Sequence, residues 1–129
     1  IIQIPFNLLD QRFREIAQDL HNDGVEVHSR STFLQGLFFK STEELSEFFQ
    51  PVIPYLKELK STFPDKGKRA RMLLSYSLSQ EFIDCVVLGV NNDLQLQENL
   101  KNSETCFDDL PRQLNTIPEN ILLPYLWPR

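Results

Sequence analysis

The sequence predicts an α/β protein with a parallel sheet, on three observations. Strand-like and helix-like stretches alternate along the chain with no short internal repeat. Cys85-Val86-Val87-Leu88 is a continuous apolar run, the pattern of a strand covered on both faces. Gly89 follows it, and Asn92 or Asp93 can then cap a helix, so a strand passes to a helix through a residue at which backbone can approach a ligand closely.

The elements follow in order. A first strand carries Gln3 at its end, and Asp10 is placed to cap a helix whose apolar positions Phe13, Ile16, Ala17 and Leu20 fall at helical spacing. Asn22-Asp23-Gly24 stops that helix. Val25 and Val27 alternate with Glu26 and His28 to give a second, short strand, which runs out through Ser29, Arg30 and Ser31 into a long loop. Ser41 and Glu44 have capping-box spacing for a helix from about Thr42. Pro51 and Pro54 interrupt it and restart a helix that buries Val52, Leu56 and Leu59. Phe63 to Gly67 reads as a turn, and Lys68 to Ser79 as a helix with Ala70, Leu73, Leu74 and Leu78 inward. Phe82 leads into the third strand, and the helix after it turns Leu94, Leu96 and Leu100 inward. The segment 101–129, punctuated by Pro111, Pro118, Pro124 and Pro128, is expected to wrap the outside of the domain.

Composition narrows the function classes. With 13 basic against 18 acidic residues, the chain lacks the basic surplus that phosphate-backbone binding needs, so nucleic acid is not an expected partner. No apolar run approaches the roughly 18 residues of a membrane span. Cys85 is expected to be a buried, reduced thiol and Cys106 lies in a polar connection, which together suggest a cytoplasmic protein without a disulfide framework. His21 and His28 have no partners at metal-ligand spacing, and the four glycines stand apart, which excludes a glycine-rich phosphate loop.

Three collinear segments carry a family resemblance. The stretch from Phe82 to Leu100, with an apolar strand, Gly89, polar Asn91-Asn92, Gln95-Leu96 and Glu98-Asn99, resembles the last strand and helix of the aldo/keto reductase barrel. Ile1 to Asp10 resembles that family's strand bearing Gln and then aromatic-Asn-Leu-Leu-Asp, and Ser31-Thr32-Phe33-Leu34-Gln35-Gly36-Leu37 resembles its Ser-Pro-Leu-Gly-Gln-Gly-Leu loop. The Phe-Leu-Gln-Gly-Leu wording is similar to the reductase-like branch found beside polysaccharide-biosynthesis proteins. A complete barrel of eight β/α units takes roughly 250 residues. The resemblance therefore implies that residues 1–129 are the C-terminal part, about three β/α units, of a TIM-type barrel, and an opening on Ile1-Ile2 inside a strand agrees.

That resemblance implies a nicotinamide dinucleotide, NADP or NAD, as cofactor. Gln3 would hold the carboxamide of the nicotinamide ring; its other reading is a glutamine completing hydrogen bonds in a barrel mouth. Arg30 falls where the family has a ring-stacking tyrosine. Its planar guanidinium can stack, can meet the pyrophosphate or an acidic substrate, or can pair with a loop carboxylate. Ser31, Phe33, Gln35 and Gly36 match the loop over the pyrophosphate, with Thr32 and Leu34 in place of the usual Pro and Gly. Gly89, Asn91 and Gln95 match the turn after the last strand, and Glu98 and Asn99 match the pair that reads the adenine amino group. The positions that often carry a base for the 2′-phosphate hold Gly89, Val90 and Gln95, and no basic residue occurs between Arg71 and Lys101. Weak discrimination between the two dinucleotides is the expectation.

The family's tyrosine, lysine, aspartate and histidine map to no position here, so the chain alone is not expected to turn over. Tyr55, Tyr76 and Tyr125 read as packing residues. The complete protein would transfer hydride between the dinucleotide and a small carbonyl or alcohol. The alternative is a noncatalytic nucleotide-binding or regulatory barrel protein. Three units leave open strand edges, so self-association is expected.

Overall fold

A computed structural model describes residues 1–101 and 117–129. Its three strands are β1 (Ile2–Pro5), β2 (Val27–Arg30) and β3 (Cys85–Val86), in the order β1-β2-β3, all parallel. Five α-helices accompany them: α1 (Arg14–Asn22), α2 (Ile53–Thr62), α3 (Lys66–Leu78), α4 (Asp93–Lys101) and α5 (Glu119–Leu122). Parallel strands need crossovers, and α1 supplies the first while α2 and α3 supply the second. The coarse expectation of an α/β fold with three parallel strands therefore holds.

Register fixes which side chains share a face. Ile2 pairs with Val27, and Ile4 with Ser29 and, through it, Val86, and these point toward the helices. Ile4, Val27 and Ser29 are buried there, in a core that also takes Phe6, Leu37, Val52, Tyr55, Leu59, Met72 and Leu73. The opposite face carries Gln3, His28 and Cys85 in one row, and among the described residues no helix covers it. This corrects the reading of Cys85 to Leu88 as a strand buried on both faces. Cys85 is exposed and Val87 is 40% exposed, because β3 is an edge strand whose second neighbour and second layer are both missing among the described residues.

The local predictions divide by whether a cap or a packing partner decides them. Asp65 caps α3, its Oδ1 accepting from the Lys68 N–H at 2.8 Å, so the helix starts two residues earlier than expected. Pro54 sits in the first turn of α2, and Val52, Leu56 and Leu59 are buried as expected. Gly24, at φ 83, ends α1. Asp10 does not cap α1. It is fully buried, with Oδ1 and Oδ2 accepting from Arg12 Nε and Nη2 at 2.9 Å each. Phe13 and Ile16 of the α1 region are exposed, as are Leu78, Leu94, Leu96 and Leu100, all predicted to point inward. The Ser41–Glu44 capping box gives only a short 3-10 turn, in which the Ser41 hydroxyl donates to the Glu43 carboxylate and accepts no capping bond from a backbone N–H.

The C-terminal segment does more than wrap. Ile121 and Leu122 enter the core, Trp127 Nε1 donates to the Ile121 carbonyl at 3.0 Å, and the indole meets Phe49 edge-on at 5.1 Å. Glu119 pairs with Arg12 at 2.6 Å. Residues 102–116 of that predicted wrap, with Cys106, lie outside the described residues.

Candidate functional site

A helix preceding a parallel strand runs antiparallel to it, so the ends of β1 to β3 and the starts of α3 and α4 gather on one side of the molecule. A cleft of about 710 Å³ opens there. Gln3 and Arg30 reach it from β1 and β2, and Gly89 and Asn91 from the turn after β3. Ser31, Phe33, Gln35 and Gly36 line it from the loop after β2. Gln95, Glu98 and Asn99 line it from α4. The fold thus brings together all eleven residues singled out in the sequence.

The loop after β2 is held in an unusual backbone shape. Ser31 (φ 67), Leu34 (φ 43) and Gln35 (φ 51) are left-handed, followed by Gly36 at φ 80, and no other non-glycine among the described residues has positive φ. Such residues cost on the order of 1–3 kcal/mol each and persist only where their surroundings fix them. Two buried side chains do the fixing. Asn7 Nδ2 donates to the Ser31 carbonyl at 3.0 Å, while Asn7 Oδ1 accepts from the N–H groups of Leu9 and Asp10 at 2.9 Å each. Arg69 donates to the carbonyls of Phe38 (3.3 Å), Phe63 (2.9 Å) and Pro64 (3.2 Å), tying the loop to the start of α3. Phe33 and Phe39 pack on each other at 5.7 Å and both line the cleft, whereas Leu37 and Phe38 are core.

The turn after β3 is self-supporting. Asn92 Oδ1 accepts from the Gln95 N–H and Gln95 Oε1 accepts from the Asn91 N–H, both at 2.9 Å. Asn92 is therefore the cap of α4, and Gln95 keeps its amide donors for a ligand. Gly89 has no left-handed φ, and a Cβ built there meets nothing within 4 Å. Nothing in the chain itself requires glycine at this position; a ligand lying against the backbone would.

Nine lining residues were not among those singled out, Lys66, Gly67, Ala70 and Thr32 included. Lys66, Gly67 and Ala70 come from α3, whose first turn reads in sequence as part of a surface turn. Thr32 is 1% exposed, and its hydroxyl is buried without a hydrogen-bond partner. Among the described residues, the charged side chains around the cleft are Arg30, Lys66 and Glu98, a positive balance in a chain whose net charge is −5. Neither cation has an ion-pair partner among the described residues; Arg30 donates only to its neighbour Ser31 Oγ, at 3.2 Å.

No tyrosine or histidine lines the cleft. Tyr76 is hydrogen-bonded to Gln11 and to Arg14, and burial pushes its hydroxyl up. Tyr55 is buried, which also pushes it up, and Tyr125 is exposed. His21 faces Asp84 at 3.3 Å and His28 faces Glu26 at 2.6 Å. Among the described residues no group of three His, Cys, Asp or Glu side chains could hold a metal, and no helix is long and apolar enough to cross a membrane. No known family model matches this chain, and no curated protein matches it.

Proposed function

We propose that this chain is the cofactor-binding part of an aldo/keto reductase-like oxidoreductase, three consecutive β/α units of an eight-unit barrel. One observation carries the reading: residues spread from Gln3 to Asn99 line a single cleft at the strand ends. When bound, a nicotinamide dinucleotide supplies the hydride that converts a carbonyl to an alcohol, or accepts it in reverse. The residues present fit such a group. Gly89 leaves room for a ligand against the backbone, and the cations without ion-pair partners suit phosphate oxygens. Gln3 would hold the carboxamide, and Arg30 with the Ser31–Gly36 loop the pyrophosphate. Glu98 and Asn99 would read the adenine amino group.

A second reading, a noncatalytic dinucleotide-binding barrel protein, draws on the absence of tyrosine and histidine from the cleft. The first is preferred because hydride chemistry in this arrangement takes its acid and base from the remaining barrel units. Titrating the protein with NADPH and NADH, followed by nicotinamide fluorescence, tests the site. Saturable binding is expected, weakened more than tenfold by Gly89→Leu, whose side chain would fill the ligand's place. A folded protein that binds neither dinucleotide would overturn the proposal.

A further inference from the structure

The left-handed Ser31 opens the cleft loop and is fastened by Asn7, which is itself held by residues that do not line the cleft. The Asn7 N–H donates to the Asp10 carbonyl at 3.1 Å, and the Asp10 N–H donates back to Asn7 Oδ1 at 2.9 Å. Asp10 is fully buried, and a buried carboxylate needs a hydrogen-bonded counter-charge. Arg12 supplies it. Its Nε and Nη2 fork onto the two carboxylate oxygens, its guanidinium lies 5.4 Å over the Phe13 ring, and Nη1 is left to reach Glu119 at 2.6 Å. Glu119 belongs to the C-terminal segment, so an unbroken run of polar contacts, Glu119 to Arg12 to Asp10 to Asn7 to Ser31, joins that segment to the cleft. The same segment touches the far end of the loop, where Trp127 meets Phe49 edge-on and Ile121, whose carbonyl accepts from the indole, is buried in the core. None of residues 117–129 lines the cleft.

We propose that Arg12 is a positioning residue for the cleft, through which the docked C-terminal segment fixes the left-handed Ser31 and with it the shape of the ligand site. Left-handed residues other than glycine persist only where their surroundings hold them, which makes the cleft loop the element that such a contact can bias. With the segment docked, both Asp10 and Asn7 are anchored and the loop keeps its binding shape. With that hold weakened, the loop is free to relax. This goes beyond the dinucleotide reading above, since it concerns the site's shape whatever ligand the cleft takes.

Hydrogen–deuterium exchange tests this without a ligand, read at the loop amides of Leu34, Gly36 and Lys40, which donate to the carbonyls of Ser31, Phe33 and Leu37. Glu119→Lys sets an ammonium against Arg12 at an exposed position, so the fold is kept and only the hold is weakened. Arg12→Lys keeps the charge and loses the fork. Loop exchange should quicken roughly two- to fivefold in Glu119→Lys, an effect that fades at high salt, and roughly tenfold in Arg12→Lys, with the amides of residues 72–76 in α3 unchanged. Adding Arg12→Lys to Asn7→Ala should change the loop little beyond Asn7→Ala alone, because both cut the same relay. Unchanged loop amides in Arg12→Lys, equal acceleration throughout the molecule, or fully additive variants would overturn the proposal. The dissociation constant for NADPH should rise in the same order as loop exchange, and a constant unchanged in every variant would also overturn it. A wild type that binds no dinucleotide removes the reading given under the proposed function and leaves loop exchange to decide this one.

Discussion

Asn7 shows how one side chain can set a site it does not line. It is polar among Phe6, Leu8 and Leu9, and its amide bonds two loops, closing the turn after β1 and fastening the left-handed Ser31 after β2. Asn7→Ala leaves two buried N–H groups without an acceptor at about 1–3 kcal/mol apiece, so a loss of roughly 2–6 kcal/mol in unfolding free energy is expected. A denaturant midpoint unchanged from wild type would contradict this. At this scale the sequence was informative wherever chemistry is local. Gln3, Ser31 and Gly89 were legible as residues at strand ends, and Gly36, Glu98 and Asn99 through the family resemblance; all six line the cleft. Thr32 and Lys66 were not, since a buried unpartnered hydroxyl and a lysine reaching a distant cleft are products of packing.

Among the elements, β3 and α4 depart furthest from expectation, and for one reason. Apolar patterning reports what a segment is able to bury. It does not report whether the covering layer belongs to the same stretch of chain, and here Val87, Leu94, Leu96 and Leu100 meet solvent. The helices after Pro54 and after the 63–67 turn were more legible, although the second begins two residues early, at an Asp65 cap that sequence reading did not assign. What holds β3 to β2 is partly a carboxylate. Asp84 Oδ2 accepts from the Val27 N–H at 2.7 Å and lies 3.3 Å from His21 Nδ1, and chiefly the first of these holds the Asp84 carboxyl below its ordinary value of 3.8. A lowered folded value means a contribution that is complete above the ordinary value and is lost as the pH falls through the folded one. Asp84→Asn should therefore be less stable than wild type at about pH 6, with the gap shrinking as the pH falls below the ordinary value of 3.8. A gap that does not shrink with acid would count against an ionised Asp84 as the source.

For the whole molecule, the arrangement that matters is a parallel sheet covered on one side. Parallel sheets are ordinarily buried on both faces, yet among the described residues no second layer covers the face bearing Gln3, His28 and Cys85, both outer strands are edges, and α4 presents leucines outward. That is the inner face of a barrel without its remaining units, on the reading proposed above. As an isolated piece the chain should pair through these surfaces. Light scattering coupled to size separation should give the mass of two or more chains, and a folded monomer at micromolar concentration would argue for a self-sufficient domain. The central claim, that three strand ends converge on one dinucleotide, is tested most directly by recording backbone amide resonances of the isotopically labelled protein during titration with NADPH. Perturbations are predicted to concentrate at Gln3, Ser31 to Gly36, and Gly89 to Asn99. Shifts confined to one of these segments, or centred elsewhere, would contradict it.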